Sequence, residues 1–341
     1  MTDATNANFS FDDVGVVSAV RVEGHEVVSS EAIDSQLAPF YSRGGARPGL
    51  LDRLAGVHER RQWNVGFTFA DASAAAGEQA ISDAGIDRSR IGLLIDSSVC
   101  RARLEPSTAV TVHHMLGLSP TCMNYDISNA CLGFLNGMHL AGMMIESGLI
   151  EYALVVDGEG TREIHRNTID RLNDSGETAE DFSENFASLT LGSGAAAMVL
   201  GKHSANPGSH AVLKGFFRAE SRHHDLCVGS LENMRTDARA LLDAGTELAK
   251  VAWDYADTAD WLDMDRYILH QVSKVHHAAM IDVLGIDPER APLTFPNFGN
   301  IGPAAIPFTL AHYSDTLSDG DRVLCMGIGS GLNAGVLELV W

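Results

Sequence analysis

Met123-Asn124-Tyr125-Asp126-Ile127-Ser128-Asn129-Ala130-Cys131-Leu132-Gly133-Phe134 is the stretch on which the reading of this chain turns. A short strand-like run gives way to small and polar residues, and a long, apolar, glycine-bearing helical pattern then starts at Cys131. A thiol at the first turn of a buried helix meets the positive end of the macrodipole and free backbone N–H groups. That setting predicts a lowered thiol pKa and donors for an oxyanion. A lone free cysteine is more often simply packed. The strand–cysteine–helix order, together with the partners found further along, points instead to a nucleophile.

The rest of the chain bounds what that nucleophile serves. The sequence has 341 residues, 45% hydrophobic and 20% charged, as in a compact protein with a sizeable core. A formal charge of −21 argues against binding a phosphate backbone. No apolar run is long enough to span a bilayer, and the polar N-terminus does not resemble a signal peptide. The five cysteines (Cys100, Cys122, Cys131, Cys227 and Cys325) are odd in number and form no C-x-x-C pair. Neither a disulfide framework nor a zinc ribbon is suggested, and a cytoplasmic location is expected.

Working outward, two segments read as weak copies. Leu191-Gly192-Ser193-Gly194 leads into an apolar run, and Ile328-Gly329-Ser330-Gly331 does the same. Upstream of each comes a helical pattern (69–84 and 233–254) and an apolar strand (91–96 and 267–270). A strand–turn–helix signal then follows, at 124–131 and at 293–300. Strands alternating with helices imply βαβ units. The repeat suggests two similar α/β halves, 1–205 and 206–341, and a polar stretch at 159–188 reads as an insertion over a rim or interface, or as a mobile loop. The helix expected at 132–147 is apolar nearly all round and belongs in the centre of the protein. Its counterpart after Asn300 would lie beside it.

Further candidates follow from position. His270 ends an apolar strand, where α/β sheets bind ligands, and can exchange protons or donate to an oxygen. Asn300 offers a side-chain amide to a carbonyl oxygen, or caps a helix; Asn297 is an alternative for the same role. Gly331, in Gly329-Ser330-Gly331, places a backbone N–H at a tight turn, a second oxyanion donor beside that of Cys131. Glu105, in Leu104-Glu105-Pro106, reads from composition alone as a surface carboxylate. Gly-x-Ser-x-Gly, His-Glu-x-x-His and Gly-x-Gly-x-x-Gly are absent.

Together these residues resemble the thiolase superfamily, and within it the ketosynthase III-like condensing enzymes. The similarity includes 56–61, 126–133, His270-Gln271, Asn300 with its following helix, and Gly329-Ser330-Gly331. It implies a duplicated five-layered αβαβα fold, a homodimer, and an acyl-Cys131 thioester formed from acyl-CoA, with no metal or organic cofactor. Glu105-Pro106-Ser107-Thr108 is most similar to the OleA-type enzymes, which condense two fatty acyl-CoA molecules head to head in long-chain olefin synthesis, beside further pathway enzymes. The resemblance implies that Glu105 reaches into the partner's site, and that Arg60 and Arg61 lie near the CoA entrance. Ser273, and Ser193 in Gly192-Ser193-Gly194, depart from the usual ketosynthase III pattern. The alternatives are a decarboxylating synthase III using malonyl carrier protein, a degradative thiolase, for which Cys325 would be the second cysteine, and a non-catalytic partner subunit.

Overall fold

The computed structural model describes residues 5–230, 232–256 and 259–341. Nine strands build its main sheet: β1 (Ala7–Glu23), β2 (Ile91–Asp96), β3 (Met123–Asp126), β4 (Tyr152–Glu159), β5 (Gly194–Gly201), β6 (His210–Ala219), β7 (Arg266–Leu269), β8 (Arg322–Gly329) and β9 (Asn333–Val340). The helices that cover or fill it are α1 (Phe69–Ala84), α2 (Thr108–Met115), α3 (Gly133–Glu146), α4 (Arg162–Ser175), α5 (Ala179–Leu189), α6 (Ala238–Asp254), α7 (Lys274–Leu284) and α8 (Ala305–Tyr313).

The strand order is β7-β8-β9-β6-β1-β5-β4-β2-β3. The 17-residue β1 joins two half-sheets: its first part pairs with β6 and its second with β5, with register irregularities between. In the first half the strands lie in the order third, second, fourth, fifth, first (β3-β2-β4-β5-β1), with β5 antiparallel to both neighbours. In the second half β7-β8-β9-β6 repeats the order second, fourth, fifth, first, and β9 is again the reversed strand. The repeat seen in the sequence is therefore a repeat of topology. One expected element differs. Residues 293–300 form a short helix, Phe295–Phe298, rather than a strand. Pro296 fits the first turn of a helix but cannot donate to a sheet ladder. The N–H groups of Thr294 and Phe295 are taken by the Gln271 side chain, at 2.8 and 3.3 Å.

Both faces of each half-sheet are buried, so the strands read as near-continuous apolar runs. Side chains alternate between two cores. Leu93, Ile95, Val155, Ile268, Val323, Cys325, Leu337 and Leu339 point inward to a central core shared with α3 and α8. Leu94, Leu154 and Val156 face α1 on one outside, and Tyr267, Leu324, Met326 and Val336 face α6 and α7 on the other. Helix, half-sheet, helix, half-sheet, helix gives the five layers. The polar stretch after Glu159 is neither a loop nor bare: it forms α4 and α5, which bury Ile169, Leu172, Phe182 and Leu189 against Leu37, Phe40 and Leu51.

The central helix is apolar along the face that both half-sheets cover, while Met143 and Glu146 near its end are exposed. Its glycines set the packing distance. A Cβ on Gly137 would lie 3.0 Å from Val155 Cγ1 and 3.2 Å from Ile95 Cγ2. Gly137→Val should therefore overpack the central layer and lower stability by roughly 1–3 kcal/mol. The shift in the denaturant midpoint measures this, and an unchanged midpoint would mean that the layer has slack.

Candidate active site

Cys131 sits between Ala130 and the Leu132 N-cap of α3, at the carboxyl side of β3. The turn that delivers it is strained, since Ala130 has φ +46°, a left-handed conformation uncommon for a residue with a side chain. Two contacts hold that turn. Asn129 donates to Asn136 of α3 at 2.7 Å and accepts from Asn333 at 3.0 Å. The Gly329 turn presses on it from the second half: a Cβ there would lie 2.9 Å from the Asn129 carbonyl oxygen and 3.4 Å from the Cys131 nitrogen.

His270 follows β7, and its backbone N–H bonds to the Met326 carbonyl at 2.8 Å. Both ring nitrogens are buried without a protein partner among the described residues. Burial, helped by His276, pushes its pKa down to about 3, so the ring is neutral. One ring nitrogen then carries a proton to donate. Gln271, fully buried, ties this segment to the next one: its amide donates to the Leu269 carbonyl at 2.9 Å and its oxygen receives Thr294 N–H.

Asn300 is held by three bonds. Its N–H reaches the Thr190 carbonyl at 3.0 Å, its carbonyl accepts Gly192 N–H at 2.8 Å, and Oδ1 accepts Gly302 N–H at 2.9 Å. That leaves Nδ2 as the free donor end. Gly192 is required here, because a Cβ would fall 1.7 Å from the Phe298 carbonyl oxygen.

Cys131, His270 and Asn300 thus come together on one cavity of about 1590 Å³. Its wall takes Phe216, Leu269, Met326 and Val336 from the second half-sheet, Ala249, Trp253, Met280 and Leu284 from the outer helices, and Ala46, Leu50, Phe182 and Phe186 from further segments.

Several expectations need correction. The Cys131 thiol is not lowered: burial pushes it up to about 12, and Cys227, Glu159 and Asp157 add to the rise. In this setting Cys131 rests as a thiol and not as a thiolate. Arg60 is fully buried and donates to Ser30 Oγ and the Leu189 carbonyl, both at 3.1 Å, so it clamps the fold and offers nothing to a CoA phosphate. Burial lowers its pKa to about 10. Arg61 is spent on Glu59 (2.8 Å), Glu23 (3.6 Å) and the face of Phe298. Gly331, at φ +123°, adjoins the cavity residues Gly329 and Ser330 without lining the cavity itself. Glu105 is exposed and lies outside its own chain's cavity, next to the fully exposed Leu104. Cys325 is 2% exposed within the central core.

The structure also adds a residue. Glu159, the last of β4, lines the cavity and is 5% exposed. Its position at the carboxyl end of the strand Tyr152–Glu159, which begins as the apolar run Tyr152–Val156, was the signal that could have revealed it. Among the described residues no group of His, Cys, Asp and Glu is arranged to hold a metal ion, and no helix is long and apolar enough to cross a membrane.

Comparison with known proteins agrees with this layout. Residues 125–220 match the family described as 3-oxoacyl-[acyl-carrier-protein (ACP)] synthase III, and residues 257–341 match its C-terminal family. An acyl-CoA:acyl-CoA alkyltransferase of Xanthomonas campestris pv. campestris is 40% identical over 336 residues, covering 97% of this chain and 99% of the relative. One from Shewanella oneidensis is 37% identical over 332 residues, covering 92% and 95%. A crystal structure of a serine variant of Xanthomonas campestris OleA with bound lauric acid and lauroyl-CoA superposes with a TM-score of 0.94 at 39% identity, over 97% of this chain and 100% of that one. With its repeated half-sheets and with Cys131, His270 and Asn300 converging on one cavity, the chain belongs to the 3-oxoacyl-[acyl-carrier-protein] synthase III family of thiolase-fold condensing enzymes, in which the acyl-CoA:acyl-CoA alkyltransferases are among its relatives.

Proposed function

We propose that the protein condenses two long-chain fatty acyl-CoA molecules head to head, without decarboxylation, to a 2-alkyl-3-ketoacyl product that is released as a β-keto acid, the first step of long-chain olefin or related lipid synthesis. The observation that carries this reading is the placement of Cys131, His270 and Asn300 on one largely apolar cavity of about 1590 Å³. Sites for one small molecule commonly measure roughly 300–1,000 Å³. Two acyl chains need a larger space. The relatives named acyl-CoA:acyl-CoA alkyltransferase, and the related structure holding lauroyl-CoA, support the substrate class.

In the first half-reaction Cys131 sulfur attacks the thioester carbonyl, the thiol proton leaves, and CoA departs as its thiol, leaving acyl-Cys131. The N–H of Cys131 donates to the developing oxyanion. The second acyl-CoA then places its thioester oxygen toward neutral His270 and the Nδ2 of Asn300, whose donors stabilise an enolate. Glu105 of a second copy removes the α-proton. The carbanion attacks acyl-Cys131 and expels the Cys131 sulfur, which takes up a proton; water then hydrolyses the 2-alkyl-3-ketoacyl-CoA thioester, releasing CoA and the β-keto acid. In one chain Glu105 points away from the cavity, which agrees with its serving a neighbour. A homodimer is supported by the free edge strand β3 with Tyr125 45% exposed, and by Val99 (48%) and Leu104 (104%) near it.

Three outcomes are expected. Given myristoyl-CoA alone, the protein should yield the symmetrical ketone, one carbon short of two acyl chains, that arises when the β-keto acid decarboxylates. Glu105→Ala should lose it while still forming acyl-Cys131, as read by intact-protein mass spectrometry. Ketone formation that requires malonyl carrier protein would establish the decarboxylating synthase instead, and no acyl-Cys131 at all would leave a non-catalytic subunit.

The second concerns the thiol. With Cys131 pushed up to about 12, its iodoacetamide alkylation should rise about tenfold per pH unit between roughly pH 7 and 9. A plateau below pH 8 would show a stabilised thiolate.

Finally, Cys325→Ala should retain acyl-enzyme formation and ketone output, whereas a degradative thiolase needing a second cysteine would lose both.

A further inference from the structure

Glu159 has no task in the steps above, yet it is a nearly fully buried carboxylate in the cavity wall. Its Oε1 accepts Val99 N–H at 2.5 Å and Cys100 N–H at 3.4 Å. These residues open the loop from β2 to α2, whose tip holds Leu104 and Glu105. The far end of that loop is held by another carboxylate. Asp126 accepts Thr108 N–H at 2.9 Å and Ala109 N–H at 2.7 Å, and pairs with Arg101. The strand order explains the symmetry of this arrangement. The loop leaves from β2, Glu159 ends the neighbouring β4 and Asp126 ends the other neighbour, β3. Between the anchors, the tip from Ala102 to Pro106 is exposed.

Of the two anchors only Glu159 lines the cavity. It also packs on the Asn300 segment: a Cβ on Gly302, whose N–H Asn300 holds, would lie 3.4 Å from Glu159 Cδ. One side chain therefore touches both the start of the Glu105 loop and the neighbour of the donor amide.

We propose that Glu159 is a positioning residue for the second half-reaction, fixing through the N–H groups of Val99 and Cys100 the loop that presents Glu105 to the partner's cavity. The inference rests on the reading of Glu105 as a base acting across the dimer.

An ionised acceptor makes shorter and stronger bonds to N–H groups than a neutral one. Burial pushes Glu159 up to about 7, Asp96 on β2 adds to the rise, and the bonds from Cys100 and Val99 oppose it. Asp157 on the same strand is pushed well above the usual carboxylate range by burial and by Glu159 itself. The other groups facing it are the thiols of Cys100 and Cys131, whose pKa values its charge helps to raise. Arg101, paired with Asp126, is the cation that acts on this acidic cluster. The sign follows: Glu159 is ionised above about 7, and the anchor weakens as pH falls through that value.

The test uses the full chain with three variants, Glu159→Ala, Glu159→Gln and Glu105→Ala. Three readouts are acyl-Cys131 formation from myristoyl-CoA, ketone output, and amide hydrogen exchange over residues 98–107. Glu159→Ala should form acyl-Cys131 within about twofold of the parent, lose ketone at least about tenfold, and exchange faster in the loop. Glu159→Gln keeps an oxygen acceptor, so it should recover ketone to within about threefold and lack the parent's acid limb near pH 7. Equal loss of acyl-Cys131 and ketone in Glu159→Ala would overturn the proposal, because Glu159 would then act on Cys131. A glutamine variant as inactive as alanine, with acyl-Cys131 intact, would also overturn it, because the charge and not the anchor would matter. Ketone that survives Glu105→Ala but falls in Glu159→Ala sinks the Glu105 reading and the positioning role built on it. Ketone lost in Glu105→Ala but unchanged in Glu159→Ala, with unchanged exchange, sinks the positioning role alone.

Discussion

The apolar face of the central helix α3 is the constraint on which the rest of this structure depends. Phe134, Leu135, Met138, Ala141 and Ile145 cannot face water, so both half-sheets close over them and over the companion α8. That closure buries both faces of every central strand and forces a second set of helices onto each outer face. It also fixes where the chemistry lies. The strands run so that the turns after β2, β3, β4 and β7 meet near the start of α3, and Cys131 stands there.

The same closure governs the electrostatics. Desolvation is the largest cause of the shift at three groups in the cavity wall: it raises Cys131 and Glu159 and lowers His270. A helix N-terminus favours a thiolate, but within an apolar cavity lined also by an acidic side chain, removal from water is the larger effect. Cys131 and His270 are therefore both uncharged, which suits donating hydrogen bonds better than holding a resting ion pair. The glycine turns matter for the same reason of close approach. Gly192, Gly329 and Gly302 let backbone from one segment touch backbone or a carboxylate from another.

The edge of the main sheet carries an exposed loop. β3 is an edge strand, and the loop between β2 and α2 projects Leu104 and Glu105 outward. Two carboxylates on the flanking strands, Glu159 and Asp126, hold the ends of that loop by main-chain N–H groups. A segment braced in this way is built to present its tip to something outside.

The sequence by itself determined the class of fold, the central placement of α3, and Cys131, His270 and Asn300 as residues worth joining. These are local signals: period-two and period-3.6 patterns, glycine turns, and reactive side chains at strand ends. Only the tertiary structure decided the rest. It turned residues 293–300 into a helix because Gln271 takes their N–H groups. It placed Arg60 inside, where carbonyl oxygens of distant segments are its partners. It raised the thiol of Cys131, since desolvation depends on everything packed around a group and not on its neighbours in sequence. Glu159 stayed out of sight for the same reason: an acidic residue at a strand end reads as surface until its strand is seen to end inside the protein.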